Sequence, residues 1–96
     1  MALQFGKRIR ELRIKNNLLI RQVASILEID TALLSKIERN ERQLKKEQIP
    51  ALADVLKIAK EELQTLWLAD QLYTMVQGEP MAGEALKSVT KKIKKK

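Results

Sequence analysis

The 96-residue sequence contains no cysteine and no histidine. These absences exclude disulfide bonds, metal sites built on thiolate or imidazole groups, and mechanisms that need a cysteine nucleophile or a histidine base. The adjacent carboxylates Glu61 and Glu62 lie about 100° apart around a helix, so they cannot easily share a substrate. We therefore expect a protein that is not an enzyme and that has no metal and no cofactor.

Long apolar stretches are also missing. No run of about 18 apolar residues is present to span a bilayer. The N-terminal segment MALQFGKRIR lacks the apolar centre of about 7–15 residues that a secretory signal needs. We expect a cytoplasmic protein without a membrane partner. Its length and its 45% hydrophobic content suit one compact domain with a modest core.

The net charge of +7 is unevenly distributed along the chain. Residues 1–46 contain eleven basic and five acidic residues, residues 47–80 two basic and six acidic, and residues 81–96 six basic and one acidic. A positive N-terminal unit attracts polyanions at long range, as nucleic-acid-binding proteins do. The alternative is an ordinary solvated surface, and charge alone does not decide between the two.

Apolar residues recur at helical spacing through most of the chain, and we predict five or six helices. The first helix carries Phe5, Ile9 and Leu12 and ends near Asn16 and Asn17, because asparagine tolerates the left-handed conformation after a helix. A helix is predicted at about 47–57, with Pro50 in its first turn and an inward face of Ile49, Leu52, Ala53 and Leu56. The next helix is predicted at 60–77, and its apolar residues are Leu63, Leu66, Trp67, Leu72, Tyr73 and Val76. A last helix is predicted at 81–96, with Ala85, Val89 and Ile93 on one face.

The stretch from Leu18 to Asn40 is typical of two short helices joined by a tight turn. Asp30 is suited to cap the second helix, because its carboxylate can accept the free N–H groups of the first turn. The apolar positions Ile20, Val23, Ala24 and Leu27 line one face of the first helix, and Leu34 and Ile37 continue that face on the second. The other faces of the second helix carry short side chains first and cations later, which indicates a surface available to a partner.

The helix at about 60–77 has more large apolar residues than a small core needs. The surplus around Leu66, Leu72, Tyr73 and Val76 suggests an interface with a second subunit. The alternative is that the last helix folds back and covers this surface. The terminal KKIKKK segment is either a frayed, solvated helix end or an additional arm that contacts phosphate.

Residues 5–66 resemble the lambda repressor-like helix-turn-helix family, also called the XRE or Cro-like family. The most specific segment is LLSKIERN at residues 33–40, which follows a helix ending in VASILEI and lies downstream of RIREL. The resemblance implies an all-α fold, with a five-helix DNA-binding domain at residues 1–70. An extended fifth helix and a basic C-terminal helix form an extension at residues 71–96, expected to dimerise and to carry the basic tail.

The resemblance also implies roles for individual residues on double-stranded DNA, in the major groove of a palindromic operator with half-sites about 34 Å apart. Leu33 has an alternative role, partial burial against the preceding helix. The pair Arg13 and Glu38 is expected to be a structural ion pair. Base-reading positions are Thr31, Ala32, Leu33 and Lys36, and phosphate-contacting positions are Arg21, Gln22, Ser35, Arg39, Arg42, Lys45 and Lys46.

The sequence departs from the family pattern at several places. Leu19 and Ile20 replace a polar cap and a phosphate-anchoring glutamine, so Arg21 or Gln22 must substitute. Glu28 replaces the glycine of the central turn, which requires a left-handed conformation costing about 1 kcal/mol or a reshaped turn. Another family glycine is Lys57, and Ala59 stands where a serine cap is common.

Three functions are open at this point. The first is a homodimeric transcriptional repressor or autoregulator, resembling the controller proteins of restriction-modification systems. The second is a protein-binding module of the antitoxin type, which neutralises a partner protein through the apolar helix or the tail. The third, an enzyme, is disfavoured by the missing histidine and cysteine.

Overall fold

The computed structural model describes residues 3–95, so the last residue of the helix predicted at 81–96 lies outside the described range. Six α-helices and one short 3₁₀ helix, with no strand, account for the secondary structure in this range, which confirms the all-α prediction. The α-helices are α1 (Phe5–Lys15), α2 (Ile20–Ile26), α3 (Thr31–Glu38), α4 (Ile49–Leu56), α5 (Lys60–Val76) and α6 (Ala82–Lys94), and the 3₁₀ helix spans Lys46–Gln48.

The core lies among the first five helices. α1 packs against α3, α4 and α5, α2 packs against α3 and α4, and α4 packs against α5. Complete burial of one leucine or isoleucine stabilises the fold by roughly 1.5–3 kcal/mol. The buried apolar residues are Phe5, Ile9, Leu12, Val23, Ala24, Leu27, Leu34, Ile37, Leu44, Ile49, Leu52, Ala53, Leu56 and Leu63.

The start of α4 differs from the predicted position. The helix begins at Ile49 rather than near Glu47, because residues 46–48 form the 3₁₀ turn. Pro50 lies in the first turn of α4, where a missing N–H donor costs little. Leu44, between α3 and the 3₁₀ helix, is buried, and its carbonyl oxygen accepts a hydrogen bond of 2.8 Å from the indole N–H of Trp67.

Each of the helices α1 to α4 is followed, within two residues, by a non-glycine residue with positive φ. The residues are Asn17 (φ 56°), Glu28 (φ 57°), Asn40 (φ 62°) and Lys57 (φ 59°). At each end the following residue donates its N–H to a carbonyl five positions earlier, as Ile58 does to Ala53 at 3.0 Å. This Schellman arrangement satisfies carbonyl groups that would otherwise lack a partner, and it turns the chain sharply between helices.

Gly6 allows α1 to approach the C-terminal end of α3. A Cβ atom at this position would overlap the carbonyl oxygen of Ile37 and lie 2.7 Å from that of Glu38. The N–H of Gly6 also donates to the side-chain oxygen of Asn40 at 3.0 Å. Both contacts fix α1 against the helix that carries the exposed polar face described below.

The C-terminal part of α5 and the whole of α6 extend beyond the core. The radius of gyration is 15.0 Å, whereas a compact domain of this length has about 12.5 Å. Leu66 and Trp67 are half-buried and pack against the core, but Leu72 and Tyr73 are exposed. Within residues 3–95, no helix combines the length and the apolar character that crossing a membrane requires.

Candidate nucleic-acid interface

A well-ordered turn fixes the angle between α2 and α3. Glu28 takes the left-handed conformation, and the N–H of Ile29 donates to the carbonyl of Ala24 at 3.0 Å. Asp30 caps α3, because its carboxylate accepts the N–H of Leu33 at 2.7 Å. The turn therefore keeps the geometry that a glycine would give, with Glu28 in its place.

An ion pair attaches α1 to the end of α3. The guanidinium of Arg13 donates from Nε to Glu38 at 2.7 Å and from Nη2 to the other carboxylate oxygen at 3.1 Å. A further bond of 3.1 Å from Nη1 to the carbonyl of Leu18 completes the set. The hydrogen bond to Glu38 raises the pKa of Arg13. Because Glu38 is buried, the pair is structural, as the resemblance implied.

The outer face of α3 is open to solvent along its length. Thr31, Ala32 and Lys36 are exposed, and they lie within an arc of about 140° around the helix. Leu33 is half-buried and packs against the core, so its location agrees with the alternative role expected for it. An α-helix presenting such a face fits the major groove of B-DNA, which is about 12 Å wide.

Ser35 and Arg39, two predicted phosphate contacts, bond to each other. Arg39 donates from Nη1 to the Ser35 hydroxyl at 2.5 Å and from Nε to Glu41 at 2.9 Å. The hydrogen bond from Arg39 lowers the pKa of Glu41, and the same bond raises the pKa of Arg39. Arg39 is exposed at the C-terminal end of α3, and its guanidinium is paired with Glu41.

The N-terminus of α2 uses Gln22 as a partial replacement for a polar cap. The side-chain oxygen of Gln22 accepts the N–H of Leu19 at 2.7 Å, which leaves the amide NH₂ available to a phosphate. Leu19 supplies no side-chain cap, consistent with its apolar character. Arg21 is exposed in the same turn. Arg21 and Gln22, the residues predicted to substitute for the family's phosphate-anchoring glutamine, therefore both lie in the first turn of α2.

Further cations surround α3. Arg42, Lys45 and Lys46 are exposed between α3 and α4, in the positions expected for backbone contacts. Lys7 and Arg10 of α1 line a cleft together with Ser35 and Arg39. No role was predicted for these two residues, although their position on the exposed side of the amphipathic α1 is typical of residues that contact a partner.

Within residues 3–95, no group of acidic side chains is placed to hold a metal ion. The exposed cations and polar side chains of this surface can form hydrogen bonds and attract anions. Cations and backbone N–H groups suit phosphate oxygens, and exposed polar side chains of α3 suit base edges.

Comparison with known proteins agrees with this geometry. A family model described as a helix-turn-helix domain matches residues 4–66. The crystal structure of the restriction-modification controller protein C.AhdI from Aeromonas hydrophila is similar at 33% sequence identity and a TM-score of 0.58. The match covers 64% of this chain and 92% of that one. No curated protein matches the chain. The chain belongs to the helix-turn-helix domain family of DNA-binding regulators.

Proposed function

We propose that this protein is a transcriptional regulator that binds a specific, two-fold symmetric DNA site as a homodimer. The observation that carries the proposal is the exposed face of α3, with Thr31, Ala32 and Lys36 held in place by the Arg13–Glu38 pair. A rigid helix with exposed polar side chains is the element that reads base edges in the major groove. The protein then acts in the cytoplasm and catalyses no reaction.

The residues around α3 have distinct roles in this proposal. Lys36 donates to guanine O6 and N7, Thr31 bonds to a base edge or a phosphate, and Ala32 contacts a thymine methyl. Leu33 mainly supports the helix from its half-buried position. The phosphate contacts come from Arg21, Gln22, Arg42, Lys45 and Lys46, joined by Ser35 and Arg39 once Glu41 is displaced.

The homodimer forms through the side of α5 that points away from the core. Leu72 and Tyr73 are 41% and 42% exposed, and Val76 is half-buried beside them. Leu66, expected at the interface, instead packs against the core, because it lies one turn from the buried Leu63. Residues 1–70 thus form the DNA-binding part and residues 71–96 the dimerising extension.

Similarity to a restriction-modification controller protein supports a regulator that represses or autoregulates a small set of genes. A second candidate is a protein of the antitoxin type, which also binds a protein partner. The exposed apolar residues Met75 (75%) and Ile93 (66%) favour that candidate, because apolar surface of this kind usually marks an interaction site.

Selection of bound sequences from a random duplex pool tests the proposal. The purified full-length protein is used at about 0.15 M salt, where non-specific charge attraction is partly screened. We expect an inverted repeat whose half-sites are about one helical turn apart. A Lys36→Ala variant is selected in parallel and should lose base preference at one position of each half-site. Recovery of no motif by the unaltered protein would contradict sequence-specific binding.

A further inference from the structure

Helix α6 has an apolar stripe that the rest of the chain does not cover. Leu86, Val89 and Ile93 recur at i, i+3 and i+7, and are 37%, 48% and 66% exposed. In the described part of the chain, α6 packs against no other helix beyond isolated contacts. An amphipathic helix of this kind gains stability by burying its apolar face against another element.

Helix α5 carries a second uncovered stripe. Leu68, Leu72 and Met75 recur at i, i+4 and i+7 on the side opposite the buried Leu63, and are 50%, 41% and 75% exposed. Each stripe is a row of three large apolar side chains at helical spacing.

The charges beside the two stripes are opposite. α6 contains four lysines against one glutamate, and three of those lysines lie in its last turn. The first turn of α5 contains Glu61 and Glu62. In an antiparallel pair of these helices, the lysine end of α6 lies beside the glutamate end of α5. Antiparallel packing also brings the opposite ends of the two helix dipoles together.

We propose that α6 of each chain packs antiparallel on the exposed stripe of α5 in a second copy of the protein. The exchange is reciprocal, so one two-fold axis covers Leu68 and Leu72 of α5 and Leu86 and Val89 of α6 in both chains. Leu86 then lies beside Leu72 of the second copy, and Val89 lies beside Leu68. This inference rests on the homodimer of the proposed function and specifies which surfaces form it.

The second copy is the occupant that the observations favour. Both stripes lie on the same chain, so two copies cover the central residues of all four stripes, and Met75 and Ile93 remain outside these pairs. The same chain also supplies both halves of the charge match between α6 and α5. The chain's own α6 is the competing occupant, but in this structure α6 makes no more than isolated contacts with α5.

Disulfide cross-linking between two single-cysteine variants tests the pairing directly, because the natural sequence has no cysteine. A Leu68→Cys chain and a Val89→Cys chain, with tags of different mass, are mixed and mildly oxidised. We expect the mixed 68–89 dimer to form at least 10-fold faster than either 68–68 or 89–89. Predominant 68–68 dimers would overturn the exchange and indicate pairing of α5 with α5.

A second experiment measures the oligomeric state by sedimentation. Leu86→Glu with Val89→Glu should make the protein monomeric at tens of micromolar, with unchanged helical content in circular dichroism. The control is Ser88→Glu with Lys87→Gln, which changes the net charge equally at exposed positions outside the apolar stripe and outside the last turn, and it should stay dimeric. A dimeric Leu86→Glu, Val89→Glu variant would overturn the inference.

The remaining outcomes also separate the inference from the proposed function. If a double Leu68→Cys, Val89→Cys chain forms the bond only within one monomer, α6 folds back on its own α5 and the exchange is wrong. If the unaltered protein selects an inverted repeat while the cross-link is absent, the dimeric regulator stands and only the exchange fails. If the cross-link forms but no motif is selected, the exchange stands and sequence-specific regulation fails.

Discussion

The carboxylate of Asp70, in the middle of α5, caps the N-terminus of α1 by accepting the N–H of Phe5 at 2.8 Å. Both carboxylate oxygens also lie 3.0 Å from the N–H of Gln4. Gln4, the residue before α1, forms no side-chain cap of its own. Asp70, a residue of another helix, therefore satisfies free N–H donors at the start of α1. Its negative charge also interacts favourably with the positive end of the α1 dipole. The contact ties the DNA-binding core to the helix that extends from it.

Loss of this cap should destabilise the protein. For Asp70→Ala we expect the free energy of unfolding to fall by about 1 kcal/mol, within the usual range for a lost cap. Asp70→Asn keeps an acceptor oxygen and should lose less. The measurement is urea unfolding followed by circular dichroism. Asp54→Ala, at an exposed position of α4, is the control and should unfold near the urea concentration of the natural protein. Equal midpoints for the Asp70→Ala and Asp54→Ala variants would show that the cap contributes nothing.

Glycine should stabilise the two helix ends that carry a charged residue with positive φ. The left-handed conformation costs a non-glycine residue about 1 kcal/mol, and glycine adopts it freely. We expect Glu28→Gly and Lys57→Gly each to raise the free energy of unfolding by up to about 1 kcal/mol, less the entropy that glycine adds to the unfolded chain. Thermal and urea unfolding measure the change.

The control for this prediction is Glu11→Gly, at an exposed right-handed position inside α1. That variant should lose about 1 kcal/mol, because glycine is a poor helix residue. If Glu28→Gly and Lys57→Gly lose as much as the Glu11→Gly control, the left-handed residues are not strained.

The helices and most of the core could be predicted from the sequence, because their signals are local. The spacing of Phe5, Ile9 and Leu12 defines the buried face of α1 without knowledge of any other helix. The Asp30 cap follows in the same way from residue type and position. These features depend on neighbours within one or two turns, so the sequence is sufficient for them.

Contacts between distant residues could not be predicted in this way. Asp70 and Phe5 are 65 positions apart, and no local pattern marks an aspartate inside α5 as the cap of α1. No local sequence pattern marks Gly6 as the point where α1 contacts α3 closely. The cleft shared by Lys7, Arg10 and Arg39 exists only once α1 lies beside α3. The Arg13–Glu38 pair was predicted only through the family resemblance.

Lys36 and Arg39 should differ in how they affect DNA binding. Lys36→Ala should relax base preference at one position of each half-site and cost about 1–3 kcal/mol at the preferred sequence. Arg39→Ala should weaken binding to all sequences and lower the salt dependence, because it removes a phosphate contact. Titration of the selected operator and of single-base variants measures both effects. Uniform weakening by both substitutions would mean that Lys36 does not read a base.

Removal of Glu41 should strengthen DNA binding. Glu41 holds the guanidinium of Arg39 at 2.9 Å, so a phosphate must displace a carboxylate. With Glu41→Gln we expect several-fold tighter binding to every sequence and a slope of log affinity against log salt that is steeper by about 0.9, the value for one added phosphate contact.

The matched control is Glu47→Gln, which removes the same charge from an exposed residue of the 3₁₀ helix. It should raise affinity less, because no DNA-facing arginine is released. Arg39 lowers the pKa of Glu41 below its usual value of 4.5. The pair is therefore intact at neutral pH and is lost only as the pH falls through that lowered value. Combining Arg39→Ala with Glu41→Gln should abolish the gain. If the double variant binds as tightly as Glu41→Gln alone, the gain arises from net charge and not from the release of Arg39.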